Sequence, residues 1–102
     1  MSNIKFDSLG KPLNGLVIKE EFELYYTNGI VYNEKGASIK NTKLDIIVYT
    51  NKEGLIHRDE GPAVIYNKRG LKLWYKKGYI DRDNGPAIIW ANGSKFWYKE
   101  GK

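Results

Sequence analysis

A chain of 102 residues with 41% hydrophobic and 14% aromatic content is large enough for one domain with a modest core. It has no cysteine, which excludes disulfide frameworks and thiol catalysis and fits a reducing, cytoplasmic setting. The formal charge of +5 is unevenly placed: Met1–Gly54 carries seven lysines against seven acids, and Leu55–Lys102 ten Lys/Arg against five Asp/Glu. The basic half raises the prospect of an anionic partner. Met1–Gly10 holds no long apolar run, and no segment approaches the roughly 20 apolar residues of a membrane span, so no membrane association is expected.

In chain order, Asn14-Gly15 reads as a shortened turn. Val17–Leu24 is the one place where helix and strand signals compete, through Lys19-Glu20-Glu21. Phe22–Gly29 matches Leu71–Gly78. Ile30–Gly54 aligns with Leu55–Gly78 when Gly36 is set on Gly61 and Tyr49 on Trp74. The next stretch, Tyr79–Gly101, repeats Arg-Asp, Gly-Pro-Ala, Trp-Tyr and the closing glycine. The closing glycines fall at 29, 54, 78 and 101, so the spacing runs 25, 24, 23. The chain therefore divides into a worn N-terminal repeat (10–29) and repeats 30–54, 55–78 and 79–101 within a single domain.

Each repeat carries the signals of a β-hairpin. Ala63–Tyr66 is β-branched and aromatic, Asn67–Gly70 is a turn, and Leu71–Lys76 alternates. Ala87–Trp90 and Lys95–Lys99 flank Asn92-Gly93, a strong hairpin turn; the sequon that begins at Asn92 is better read as that turn. The expected fold is all-β, a single elongated, twisted antiparallel sheet or half-barrel of about eight strands in about four stacked hairpins. Alternation sets Leu71, Leu73 and Tyr75 on one side, with Phe96 and Tyr98. The other side shows tryptophan framed by lysine: Lys72-Trp74-Lys76 and Lys95-Trp97-Lys99.

The motif Trp74-Tyr75-Lys76-Lys77-Gly78-Tyr79-Ile80-Asp81-Arg82-Asp83-Asn84-Gly85-Pro86-Ala87 resembles repeats of uncharacterised phage and giant-virus proteins that are similar to the MORN repeat, a hairpin of about 23 residues. The resemblance covers Leu55–Gly101. Upstream, Tyr32-Asn33-Glu34-Lys35-Gly36-Ala37 lacks the His-Arg pair and the proline, so a different packing of the first two repeats is an open expectation. The resemblance implies a sheet of stacked hairpins and a scaffolding or binding role rather than catalysis.

His57-Arg58-Asp59 contains the only histidine and is the candidate for base chemistry. The following repeat puts Asp81 in place of His57 while keeping Arg82 and Asp83. Arg58, Asp59, Gly61, Pro62, Arg82, Asp83, Gly85 and Pro86 are accordingly read as hairpin architecture: an Arg–Asp ion pair or turn hydrogen bonds. Gly-Pro removes an amide that a phosphate cradle would need. Asp81–Gly85 begins like a calcium loop, but its glycine comes one residue early and position 92 is asparagine instead of glutamate, so neither a metal nor a cofactor is expected. The residues read as partner-binding are Trp74, Tyr75, Trp90, Trp97 and Tyr98, with Lys72, Lys76, Lys95 and Lys99. The leading expectation is a non-catalytic module, a small phage-type inhibitor that occludes a host protein such as a defence nuclease or toxin. The alternatives are a nucleic-acid or nucleotide binder that stacks bases on the tryptophans between lysines and, last, a His57-centred enzyme. Open sheet edges make homo-oligomers plausible as well.

Overall fold

The computed structural model describes residues 4–102 and is all-β. Eleven strands form: β1 (Gly15–Lys19), β2 (Phe22–Thr27), β3 (Ile30–Val31), β4 (Ile39–Asn41), β5 (Ile46–Val48), β6 (Val64–Tyr66), β7 (Leu71–Leu73), β8 (Tyr75–Lys76), β9 (Tyr79–Ile80), β10 (Ile88–Ile89) and β11 (Lys95–Phe96). One antiparallel sheet runs β1-β2-β4-β5-β6-β7-β10-β11, with β3 attached to β2; β8 and β9 pair separately. The sheet is open, with β1 and β11 at its two edges, and the molecule is elongated, 48 × 29 × 21 Å. The half-barrel alternative is thus not needed, and the ambiguous Val17–Leu24 stretch is strand, its two halves joined by a turn at Glu20-Glu21. No helix among the described residues is long and apolar enough to cross a membrane.

The register shows why this sequence makes a sheet. Val17, Leu24, Ile39, Val48, Val64, Leu73, Ile88 and Phe96 are successive cross-strand partners, an apolar row across all eight strands. Opposite them, by alternation, runs Ile18, Glu23, Lys40, Ile47, Ile65, Lys72, Ile89 and Lys95. A single layer buries little. Among the described residues the buried apolar side chains are Ala63, Val64, Leu71 and Ala87, at and beside the β6–β7 pair. Stability therefore rests more than usual on the junctions between repeats.

Each of the three full repeats departs from the ladder at the same point, whereas β1 and β2 pair one to one throughout. Ala63 N–H donates to Leu73 C=O (2.8 Å) although Val64 is Leu73's register partner, so two residues face one in a β-bulge. Ser38-Ile39 opposite Val48 and Ala87-Ile88 opposite Phe96 do the same. The bulged residue is sealed inside: Ala63 and Ala87 are 0% exposed and Ser38 1%, so only a small side chain fits.

Beyond the bulge the chain leaves the main sheet. Trp74 lies in neither sheet; its N–H donates to Ala87 C=O (2.8 Å) and its C=O accepts from Asp81 N–H (3.0 Å). Leu71–Lys76 is thus two short strands around a break, not one continuous strand. The side hairpin β8–β9 that follows has counterparts in the Tyr26–Val31 pair of β2–β3 and the Thr50–Ile56 bridge. Lys77-Gly78 turns it with φ of 48° and 85°, both in the left-handed region demanded by a two-residue type I′ loop. Asn28-Gly29 and Glu100-Gly101 repeat that geometry. At the other end of the strands, Trp90–Ser94 closes the β10–β11 hairpin through Gly93 N–H to Trp90 C=O (3.0 Å) and Trp90 N–H to Ser94 C=O (2.9 Å), which confirms the turn at Asn92-Gly93.

Candidate functional site

The loops 32–37, 57–62 and 81–86 all lie at one end of the strands, beside the side hairpins. Each is built around one cationic or amide side chain. The Arg58 guanidinium lies over the Tyr49 ring, 3.9 Å from its centroid, and Arg82 over Trp74 at 4.1 Å. The same guanidiniums donate from Nη1 to Pro62 C=O (3.2 Å) and Pro86 C=O (3.0 Å). On the far side a glycine leaves room: a Cβ on Gly61 would stand 3.3 Å from Arg58 Nη1, and one on Gly85 3.0 Å from Arg82 Nη1 and Cζ. Aromatic ring, guanidinium and glycine thus form a three-layer stack, and each arginine is received by the aromatic of the preceding repeat.

No Arg–Asp ion pair forms among the described residues; of the two roles read for these arginines, the turn hydrogen bond is the one observed. The aspartates instead meet the lysines that follow the tryptophans. Asp59 Oδ1 accepts from Lys76 Nζ (2.9 Å), Asp83 pairs with Lys99, and Lys99 Nζ also lies 3.6 Å from Asp81 Oδ1. The Lys76 hydrogen bond and charge hold the Asp59 carboxyl below its usual range, with partial burial opposing and His57 adding to the effect.

Upstream, where the motif is absent, the geometry persists. Asn33 Nδ2 donates to Ala37 C=O (3.0 Å), the bond that Arg58 and Arg82 make to proline. Ser38 Oγ accepts from Asn33 N–H (3.0 Å) and sits 2.7 Å from Thr50 Oγ1, itself 2.6 Å from Val31 C=O. The upstream repeats pack as the downstream ones do, with a buried hydroxyl network in place of the alanine and tyrosine.

His57 has both ring nitrogens engaged. Nδ1 accepts from Lys77 N–H (2.9 Å), so Nε2 carries the proton and donates to Asp59 Oδ1 (3.0 Å). In the next repeat Asp81 Oδ2 accepts from Glu100 N–H (3.4 Å), and near the N-terminus Asn14 Oδ1 accepts from Asn28 N–H (2.9 Å). Three chemically unlike side chains hold the amide of the same strained turn residue. That shared task accounts for a histidine at 57. No group of three metal-ligating side chains occurs among the described residues.

Of the residues read as partner-binding, the structure gathers Trp74, Tyr75, Lys76, Trp97, Tyr98 and Lys99 at the loop end. Trp74 is half-buried beneath Arg82. Tyr75 and Tyr98 are half-buried, and their carbonyls accept from Arg58 and Arg82 N–H (both 3.2 Å). Burial, with the nearby Tyr66, raises the Tyr75 hydroxyl above its usual pKa. Lys72 and Lys95 stand apart, exposed on β7 and on the edge strand β11, on either side of Ile89. Trp90, 40% exposed, is at the opposite end of the strands. The lysines and tryptophans therefore do not share one continuous face, and two of the four lysines are already paired with aspartate.

Two features were missed by sequence reasoning. One is a pair of equivalent grooves between successive loops, about 510 Å³ over Tyr49 and Arg58 and about 440 Å³ over Trp74 and Arg82. Its signal was the arginine eight or nine residues after an aromatic. The other is the open end beyond β11. Phe96 C=O accepts from Ala87 N–H (2.8 Å), so Phe96 directs its main-chain groups inward and Lys95 and Trp97 direct theirs outward. No described residue bonds the Trp97 N–H or C=O. Phe96 is 47% and Trp97 65% exposed. No family model, curated protein or solved structure matches this chain.

Proposed function

We propose that the chain is a non-catalytic binding module whose docking surface is the open end formed by β11 and Trp97. The observation that carries this reading is the contrast between equivalent positions: Trp74 is capped by an arginine and bonded through both main-chain groups, while Trp97 presents an uncovered ring beside an unpaired strand edge. An exposed tryptophan and phenylalanine on rigid backbone, with unsatisfied main-chain donors and acceptors, supply both halves of strand-addition recognition. His57, the one candidate base, is held at both nitrogens by turn and loop contacts. An inhibitor that occludes a host protein is the form of binding that the resemblance to phage repeats implies.

The test is capture from a host lysate by the immobilised chain and by a Phe96→Ser/Trp97→Ala variant shown to be folded. A protein held by the native chain and lost by the variant is the expected result. Retention of the same protein by both, or capture of none, overturns the reading.

A further inference from the structure

Three internal junctions show what a repeat end accepts. At Tyr25 the main-chain bonds (Tyr25 N–H to Ser38 C=O, 2.8 Å; Tyr32 N–H to Tyr25 C=O, 3.0 Å) form with Asn33 in the arginine's place, and at the other two an arginine covers the ring. At Trp74 the incoming segment is Asp81–Ile89. Asp81 N–H bonds Trp74 C=O, Arg82 stacks on the ring, Ala87 C=O accepts the Trp74 N–H, and Ile88 and Ile89 pair with Leu73 and Lys72. At Tyr49 the segment from His57 to Ile65 makes the same contacts: His57 N–H to Tyr49 C=O, Arg58 on the ring, Tyr49 N–H to Ala63 C=O, and Val64 and Ile65 on Val48 and Ile47. Trp97, Phe96 and Lys95 offer this surface once more, and no described residue covers it.

We infer that the open end takes an extended polypeptide carrying an arginine five residues before a small residue and six before a β-branched pair. This rests on the docking surface proposed above and adds the chemistry of its occupant. The guanidinium stacks on the exposed Trp97 indole, the larger ring being the better cation acceptor. The small residue brings the partner's backbone against Trp97 N–H, as Ala63 and Ala87 do. The strand continues the sheet on Lys95. Lys99 does not repel the arginine strongly because Asp83 and Asp81 neutralise it. A second copy of this chain fits less well: its free edge, β1, presents Leu16 and Ile18 and no arginine in the required place.

The probe is a synthetic peptide with the sequence of Ile80–Ile89, titrated into the ¹⁵N-labelled full chain and followed by amide and indole resonances. Shifts confined to Lys95–Lys99 and the Trp97 indole are expected. The peptide with alanine in place of its arginine should bind roughly fivefold or more weakly. Trp97→Ala should abolish the indole-centred response, and Trp97→Phe should keep part of it, which separates loss of the ring from loss of fold. Equal binding of both peptides overturns the arginine requirement and leaves the docking surface standing. Absence of shifts at millimolar peptide overturns the inference as a whole. Concentration-dependent coverage of Trp97 by the Leu16–Ile18 edge of a second copy also overturns it.

Discussion

The Arg82 guanidinium carbon stands 4.1 Å from the centre of the Trp74 ring, and the two residues belong to different repeats. The contact joins one hairpin unit to the next, so removing it should loosen a junction. A stacked, half-buried cation contributes about 0.5–2 kcal/mol, and its bond to Pro86 C=O about 1 kcal/mol. Arg82→Ala should therefore cost about 2 kcal/mol in urea unfolding. Arg82→Lys should recover only a small part, because an ammonium lacks the planar fork. Combined with Trp74→Leu, the loss should be clearly less than additive; additivity would show that the stack contributes nothing.

Gly85 faces the other side of that guanidinium, at 3.0 Å from an added Cβ. Gly85→Ala should push Arg82 off the ring rather than strain the backbone, costing about 1–2 kcal/mol. The signature is epistatic: in an Arg82→Ala background the same substitution should be nearly neutral. An equal cost in both backgrounds would locate the strain elsewhere.

His57 and Asp81 perform one task, the capping of a left-handed turn amide. His57→Ala should lower stability by about 1 kcal/mol. His57→Asp should retain most of it, since Asp81 does the same task in the next repeat and Lys76, paired with Asp59, lies on the carboxylate that position 57 contacts. Thermal unfolding of the two variants decides the matter, and equal destabilisation by both would refute a capping role.

Asp59 gives the acid limb of stability its expected shape. Its carboxyl lies below the ordinary value of 3.8, chiefly through the Lys76 hydrogen bond. A depressed folded-state pKa means that the contribution is fully present above the unfolded value and disappears as pH falls through the folded one. Asp59 is largely exposed, so the contribution is no more than about 0.5 kcal/mol. Lys76→Met should flatten the fall of the urea midpoint between about pH 5 and pH 3, and an unchanged slope would remove Asp59 from the account.

Lys77 occupies the first position of a type I′ turn at φ 48°, a conformation that costs most L-residues about 1–2 kcal/mol. Lys77→Asn should raise stability by about 0.5–1 kcal/mol. A lowered melting temperature would mean that the lysine makes a compensating contact.

The parts of the fold that were legible in the sequence are those fixed by neighbours in the chain. The apolar row from Val17 to Phe96 follows from alternation, and the turns at Gly29, Gly78 and Gly101 follow from residues that tolerate positive φ. What was not legible depends on partners far along the chain. Trp74 looks like mid-strand by pattern, yet its main-chain groups are claimed by Ala87 and Asp81 of the next repeat, so the strand ends there. Lys76 appeared to frame a tryptophan face because alternation assumes the strand continues. Asn33 gave no hint of standing in for arginine, since the equivalence lies in which carbonyl is reached, not in side-chain chemistry. The Trp97 end was named for its residues, but its openness became visible only beside the closed junctions at Tyr25, Tyr49 and Trp74.

The direction of the arginine contact has a consequence for how such chains change length. The last two units each lend a guanidinium backward, so the boundaries at Tyr49 and Trp74 are chemically alike. Joining Gly54 directly to Tyr79 would place Arg82 nine positions after Tyr49, the interval that now separates Tyr49 from Arg58. An in-frame deletion of Leu55–Gly78 would thus heal its own seam, and a duplication would create one already matched.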